Sequence, residues 1–239
     1  MTYVGLKHTS AEVKSLYESG AYSDLKIVCG SDTYNVHKAI IGPQSDFFRA
    51  ACRPNAFQEG KTGIIELPAS AGRNPDAMQR PVTAAEFDWD LDVEDTATVK
   101  LMVHCLYHHD YHEDVVCLSN NSSRDAHLTK GILAEHAKMY AMGEKYGIPR
   151  LKTLALAKYK ECFDTTNSGL CTALVIAFSG IAEPDHNFQE MVTHDLWSWS
   201  CMFKNNSIIQ DVIRSTPELS YGLYAKYLED VTGDGGDWW

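Results

Sequence analysis

The feature that most constrains the fold is the order of residue patterns between Ser23 and Leu67. Leu25 and Ile27 alternate with Lys26, a period of two that is typical of a half-buried strand. Two strands joined by a turn are followed by two short helices and a third strand. The predicted elements are strands at Asp24–Cys29 and Thr33–Val36, helices at His37–Ile41 and Asp46–Cys52, and a strand at Ile64–Leu67.

Outside this stretch, apolar residues recur at helical spacing through most of the chain. The predicted helices are Ala11–Ser19, Thr96–Tyr107, Leu128–Tyr146, Pro149–Phe163, Ser168–Phe178, Asn187–Phe203, Ser207–Ser215 and Pro217–Leu228. A small sheet flanked by helices and followed by an all-helical C-terminal region is an α+β fold.

Composition divides the chain into four predicted parts. Residues 1–20 carry an N-terminal helix, and residues 21–163 form the α+β domain. An insertion rich in Ala, Pro, Asp and Glu interrupts that domain at about residues 69–95. Residues 164–230 form a helical extension, and residues 231–239 form a Gly- and Asp-rich tail that we expect to be disordered. The final Trp238–Trp239 pair is either a docking tag or a frayed end.

Charge and hydropathy exclude several classes of function. The net charge is −11, and the 21 Lys and Arg residues are scattered, whereas nucleic-acid binding needs clustered cations. No apolar stretch is long enough to span a membrane, and the N-terminus lacks the apolar core of a signal peptide. We therefore expect an intracellular protein, nuclear or cytoplasmic, that contacts neither nucleic acid nor membrane.

Catalytic and metal-binding motifs are absent from the sequence. It contains no G-x-S-x-G, P-loop or G-x-G-x-x-G motif, and the seven cysteines are dispersed as expected of reduced thiols. His104, His108 and His112 recur at i+4, a spacing that grips zinc on a helix. We place His108 and His112 in a loop and favour surface or capping histidines. Glu94–Asp95 is predicted to be a pair of loop charges. We expect no enzyme, no cofactor and no metal.

An ordered set of short motifs resembles a known family. The motifs are Ser23-Asp24-Leu25, His37-Lys38, Ser45-x-x-Phe48, Leu106-Tyr107 and Ala137-x-x-Tyr140-Ala141-Met142, followed by Lys145-Tyr-Gly-Ile148. In this order they resemble the BTB/POZ domain, with spacing most similar to its fungal branch. The resemblance covers roughly Tyr22 to Phe163 and implies the BTB/POZ fold and a role in protein–protein interaction.

The resemblance assigns two charged residues to a candidate site. In BTB domains that bind corepressors, a charged pocket involves the residues that align with Asp24 and Lys38. The alternative is structural, because Asp24 and His37 lie at the ends of paired strands. There the carboxylate can accept hydrogen bonds from backbone N–H groups or from His37, and so hold the hairpin to the helix.

A second candidate site is Phe57-Gln58-Glu59. Some BTB adaptors carry a hydrophobic-x-acidic motif here that contacts the cullin-3 scaffold, with Phe57 as apolar anchor and Glu59 as its charged neighbour. The alternative is a core Phe57 and a solvated Glu59. The resemblance thus implies a substrate adaptor for a cullin-3 ubiquitin ligase. The other hypothesis is a homodimeric scaffold or transcriptional co-regulator without ubiquitin chemistry.

The N-terminal helix bears on oligomeric state. Ala11–Ser19 aligns with the helix through which many BTB dimers embrace each other, and its apolar face consists of Val13, Leu16 and Tyr17. The resemblance implies a homodimer. The alternative is that this short face folds back on its own domain.

Overall fold

A computed structural model describes residues 11–53, 58–67, 91–111, 131–163, 167–178 and 186–232 of the chain. The chain divides into two compact units: residues 1–73, 92–114 and 138–157 form the first, and residues 74–91, 115–137 and 158–239 form the second. The domain boundaries expected from the sequence stay predictions. The expected insertion lies outside the described residues except at residues 91–95.

The first unit begins with helix α1 (Ala11–Ser19) and a hairpin of strands β1 (Leu25–Cys29) and β2 (Asp32–Val36). The strands pair antiparallel, with Leu25 opposite Val36. Gly30 has a φ of 57°, in the left-handed region that a two-residue hairpin loop requires and that glycine adopts at little cost. The hairpin predicted from alternating apolar residues is confirmed.

Among the described residues, a third strand joins the sheet in parallel orientation. Helices α2 (Lys38–Ile41), α3 (Asp46–Ala51) and α4 (Gln58–Thr62) lead to strand β3 (Ile64–Leu67). The strand order is β2-β1-β3, and β3 runs parallel to β1. The sequence did not predict α4, because its five residues include glycine and threonine and no apolar period.

One face of this sheet is buried. Register places Ile27 opposite Ile65 and Cys29 opposite Leu67, so the apolar side chains of both strands lie on the same side. All four are at most 5% exposed. Burial of each large aliphatic side chain contributes about 1.5–3 kcal/mol. The opposite face carries Lys26 and Glu66 and is exposed.

Helix α5 (Thr96–His108) supplies further core to the first unit, together with parts of α6 (Ile132–Lys145) and α7 (Pro149–Phe163). Gly147, with a φ of 56°, ends α6, and the N–H of Ile148 donates to the carbonyl of Gly143 at 2.8 Å. The carbonyl of Gly147 in turn accepts from the N–H of Asp46 at 3.1 Å, which connects the end of α6 to the start of α3.

The described residues of the second unit are helical apart from short connections. They continue α6 and α7 and add α8 (Leu170–Phe178), α9 (Asn187–Ser198), α10 (Ser200–Phe203), α11 (Ser207–Ser215) and α12 (Pro217–Thr232). Helix α8 is buried on all sides from Leu170 to Ala177, so it is the central helix of this unit. The small sheet of the first unit and this all-helical C-terminal region confirm the predicted α+β class.

Two C-terminal helices, α9 and α12, differ clearly from the sequence predictions. Asn187–Phe203 is not one helix, because the backbone at Trp199 (φ −104°, ψ 14°) separates α9 from α10 within a Ser-Trp-Ser run of poor helix formers. Trp199 is 37% exposed and its ring stands edge-on to Phe163. Helix α12 continues past Leu228 to Thr232, and residues 233–239 lie outside the described part of the chain.

Candidate interaction surface

Asp24 caps a helix from a neighbouring strand. The antiparallel register places Asp24 beside the start of α2, and its Oδ1 accepts a hydrogen bond from the backbone N–H of Lys38 at 2.8 Å. His37, at the N-cap position of α2, makes no side-chain capping bond. The carboxylate therefore satisfies one of the unpaired N–H groups of a helix start, where negative charge is favourable. The expected bond from a backbone N–H is present.

His37 connects three parts of the first unit and is 6% exposed. Its Nε2 lies 2.7 Å from the carbonyl oxygen of Ala21, and its Nδ1 lies 2.8 Å from the hydroxyl of Tyr107 on α5. The backbone N–H of His37 donates to the same hydroxyl. The ring thus joins the end of β2 to the α1–β1 turn and to α5, and has the structural role expected from the sequence.

Lys38 and Asp24 share their surroundings with a thiol that the sequence did not single out. Burial raises the pKa of Cys52, Lys38 lowers it, and Asp24 raises it. The three side chains therefore lie within electrostatic reach of one another. Cys52 ends α3 and is half-buried. Its dispersed position in the sequence gives no signal of this proximity.

Glu59 lies on α4 and is half-exposed. The next residue, Gly60, packs so closely that an added Cβ would meet the carbonyl oxygen of Arg53 at 2.5 Å. At the end of α4, the N–H of Lys26 on β1 donates to the carbonyl of Gly63 at 2.9 Å. A Cβ on Gly63 would lie 3.7 Å from the carbonyl oxygen of Asp24. The helical turn bearing Glu59 is therefore fixed against the start of β1.

Asp24, Lys38 and Cys52 lie near one another, and backbone hydrogen bonds connect the turn of Glu59 to β1. We call these four residues the charged surface. Phe57, the predicted apolar anchor, lies outside the described residues, so the structure does not place it. The structure brings Asp24 and Lys38 of the first predicted site together. It connects the turn of Glu59, from the second predicted site, to strand β1 through Gly63.

Helix α1 packs on α5 of its own chain. The ring of Tyr17 lies 5.2 Å from that of Tyr107, 5.7 Å from that of His104 and 5.1 Å from that of His108, measured between centroids. Burial raises the pKa of Tyr17. Val13, Leu16 and Tyr17 are all half-buried and none is fully buried. The apolar face therefore packs within the chain while part of it stays accessible to a second chain.

The histidine spacing occurs on the last turns of a helix, which corrects one prediction. Helix α5 includes His108 and ends at His109, which adopts a left-handed φ of 61° and donates its N–H to the carbonyl of Cys105. The rings of His104 and His108 stack in parallel at 3.9 Å. Their Nδ1 atoms lie 3.0 and 3.2 Å from the backbone oxygens of Asp110 and His104, respectively. Within the described part of the chain no cluster of three metal-ligating side chains occurs, and His112 lies outside it.

Glu94 and Asp95 lie in the turn before α5, so they are loop charges as the sequence predicted, but both make specific contacts that the sequence did not indicate. Glu94 is 1% exposed, and its Oε1 accepts from the Tyr146 hydroxyl and from Lys145 Nζ, the latter at 2.6 Å. Asp95 caps α5 through a 2.7 Å bond from the N–H of Thr98, and pairs with Lys138 Nζ at 2.8 Å. The Asp95–Thr98 spacing is a recognisable capping signal, whereas burial of Glu94 depends on residues about fifty positions away.

Comparison with known families identifies the stretch that contains this surface. Residues 13–71 match the BTB/POZ domain. The match covers about a quarter of the chain and extends from α1 through β3, so it includes every residue of the charged surface. It supports a protein–protein interaction module. Comparison with curated proteins gives no significant match.

Among the described residues, none forms a helix that combines the length and the apolar character needed to cross a bilayer.

Proposed function

We propose that the chain is a BTB/POZ interaction module that bridges a cullin-3 ubiquitin ligase scaffold to a substrate. The observation that carries the proposal is the position of Glu59 inside the BTB/POZ match. Its half-exposed carboxylate lies on a helical turn held by Gly60 and Gly63 against the body of the first unit. A rigidly held charge at an interface loses little conformational entropy on binding.

The charged surface supports the same role. Asp24 is already bonded to the N–H of Lys38, so its carboxylate is fixed in orientation before any partner arrives. The Lys38 side chain is half-exposed, and it can pair with a carboxylate on a partner. In this proposal Phe57 is the apolar anchor, Glu59 sets register, and Asp24 and Lys38 form the polar edge of the contact.

Capture of purified cullin-3 by the full chain tests this proposal. We expect the wild type to bind and the Glu59→Ala and Phe57→Ala variants to bind at least about tenfold more weakly, the loss typical of interface hot spots. Glu66→Ala is the matched control, because Glu66 is exposed on the outer face of β3 and lies outside the charged surface. Equal capture by Glu59→Ala and Glu66→Ala rejects the motif, and no capture by the wild type rejects the adaptor role.

The second candidate function is a homodimeric scaffold or transcriptional co-regulator without ubiquitin chemistry. It is favoured by α1, whose apolar residues Val13, Leu16 and Tyr17 remain only half-buried in the single chain. A second copy that covers this face would bury the remainder. Light scattering on the wild type and on Leu16→Glu tests it. A dimer that becomes a monomer in the variant supports this function, and a wild type that stays monomeric at high concentration contradicts it.

A further inference from the structure

Aromatic side chains form an exposed stripe along the last described helix. On α12, Tyr221, Tyr224 and Tyr227 are 54%, 56% and 50% exposed, and Val231 is 63% exposed. With about 100° of rotation per residue, these four positions fall within an arc of about 120°. We call them the tyrosine face.

The tyrosine face carries no charge and has an acidic rim. Its arc also contains Pro217, Ser220 and Leu228, all uncharged. Glu218 lies beyond the Tyr221 edge of the arc, and Asp230, whose Oδ2 accepts from Trp197 Nε1 at 3.2 Å, lies beyond the Tyr227 edge. The single cation of the helix, Lys226, lies 3.8 Å from Glu229. The face thus combines an aromatic centre with a negative rim in a chain of net charge −11.

The opposite side of α12 accounts for its packing. Leu219, Gly222 and Ala225 are its buried residues, and a Cβ on Gly222 would lie 3.1 Å from the Thr193 side chain of α9. The helix is therefore held in the second unit through its other side. A contiguous exposed apolar patch is typical of an interaction site.

The size of the tyrosine face favours a short segment over a second copy. Half exposure leaves about 100 Å² on each tyrosine, so the four residues offer about 400 Å². Two copies pressed together would bury about 800 Å², below the roughly 1,200–2,000 Å² of stable interfaces. Two chains that each carry a net charge of −11 also repel each other. Along the axis the face measures about 15 Å, the length of a short peptide.

We propose that the tyrosine face binds a short peptide segment that carries arginine and apolar side chains. A guanidinium stacks flat on the Tyr221 ring while its N–H groups pair with the carboxylate of Glu218, which lies three residues earlier on the helix. Lysine suits this site less well, because its ammonium is strongly hydrated and has no planar surface to stack. Apolar side chains of the segment pack against Leu228 and Val231. The site belongs to a different unit from the charged surface, so it does not depend on cullin-3 binding.

Fluorescence anisotropy with the full chain tests the proposal. The probes are a labelled nonapeptide of three Arg-Leu-Gly repeats and its Lys-Leu-Gly counterpart of equal charge. We expect the arginine peptide to bind about tenfold more tightly than the lysine peptide. The triple variant Tyr221→Ser, Tyr224→Ser, Tyr227→Ser removes that advantage. Tyr22→Ser is the matched control, because Tyr22 is 92% exposed in the first unit.

Several outcomes overturn the proposal. Equal affinity for the two peptides would show that binding depends on charge attraction alone. Unchanged binding by a triple variant that keeps its helical circular dichroism spectrum would show the same. A change in oligomeric state of the triple variant assigns the face to a second copy. If a chain truncated after Thr232 binds the arginine peptide about tenfold more tightly than the full chain does, the tyrosine face is assigned to residues 233–239 instead. The single variant Tyr224→Ser keeps the test decisive if the triple variant unfolds, since its binding must still weaken.

Discussion

The hydroxyl of Tyr107 lies 2.8 Å from both the backbone nitrogen and the ring Nδ1 of His37. The backbone N–H donates to the hydroxyl, which leaves the hydroxyl proton to be donated to Nδ1. Nε2–H then donates to the carbonyl of Ala21. With the ring proton on Nε2, each of these groups has a hydrogen-bond partner. One side chain on α5 therefore fixes the junction between β2 and α2.

Removal of the Tyr107 hydroxyl should destabilise the first unit. Tyr107→Phe leaves the buried N–H and Nδ1 of His37 without this partner, a cost of about 1–3 kcal/mol. Urea unfolding measures the change. Tyr34→Phe is the control, because the Tyr34 hydroxyl makes a single long bond of 3.4 Å to Asp32. Equal losses in the two variants would show that the bond to His37 contributes nothing.

Alkaline pH should destabilise the chain partly through Tyr107. Burial raises the pKa of Tyr107 to about 12, and the bond from the His37 backbone opposes this only in part. An unfolded tyrosine titrates near 10. The neutral phenol of Tyr107 therefore makes its full contribution to the free energy of unfolding below about pH 10, and this contribution is lost as pH rises through about 12. Unfolding free energies measured across this window should fall less steeply in Tyr107→Phe than in the wild type, and parallel slopes contradict the assignment.

Acid pH should destabilise the chain through His109. Burial lowers the pKa of this histidine, and Arg150 and His108 lower it further. An unfolded histidine titrates near 6.5, so the stabilising contribution is present above about pH 6.5 and is lost as pH falls through the lower folded value. His109→Asn keeps a residue that tolerates the left-handed backbone. Its stability should fall less between about pH 7 and pH 5 than that of the wild type. The exposed His194→Asn should fall as the wild type does.

Ser45 should be among the costliest polar residues to truncate. It is fully buried, its Oγ donates to the carbonyl of Tyr146 at 2.6 Å, and it accepts from the N–H of Phe48 at 3.0 Å. Ser45→Ala removes a helix cap and leaves a carbonyl unpaired, for a loss of about 1–3 kcal/mol. Ser31→Ala, at an exposed serine, should change the free energy of unfolding by about 0.5 kcal/mol or less. A Ser45→Ala loss within that range refutes the capping role.

Thiol reactivity should follow burial. Among the described cysteines, Cys201 is exposed, Cys52 and Cys162 are half-buried, and Cys29, Cys105 and Cys171 are buried. Burial also raises the pKa of Cys29 and Cys52, which reduces their thiolate fraction. Iodoacetamide followed by mass spectrometry should label Cys201 first and the three buried thiols only after denaturation. Labelling of native Cys171 as fast as Cys201 would contradict the central position of α8.

Local periodicity explains which elements the sequence could predict. Ala11–Ser19 and Ser207–Ser215 carry their apolar spacing within a few residues, and both helices have the predicted bounds. The short α4 and the break at Trp199 have no such signal, because tertiary packing determines them. The burial of Glu94 is likewise a tertiary effect, since its partners Lys145 and Tyr146 are distant in sequence.

Of the candidate site, too, the sequence could predict only the part that depends on local structure. The position of Asp24 beside Lys38 follows from pairing in a local hairpin, so the sequence indicated it. Cys52 lies near them only after α2 and α3 have folded, and no spacing in the sequence marks it. The tyrosine face could have been found from the i, i+3, i+6 spacing of Tyr221, Tyr224 and Tyr227, but its exposure could not, since helical spacing equally describes a buried stripe.

The parallel pairing of β1 with β3 has a consequence for synthesis on the ribosome. β1 can form its hairpin with β2 at once, but its other edge waits until Ile64–Leu67 has been translated and α2, α3 and α4 have crossed over. During that interval the open hydrogen-bonding edge belongs to β1, the middle strand of the finished three-stranded sheet. In crowded polysomes, mispairing between nascent chains should therefore begin at Leu25–Cys29, a strand with no free edge in the native fold.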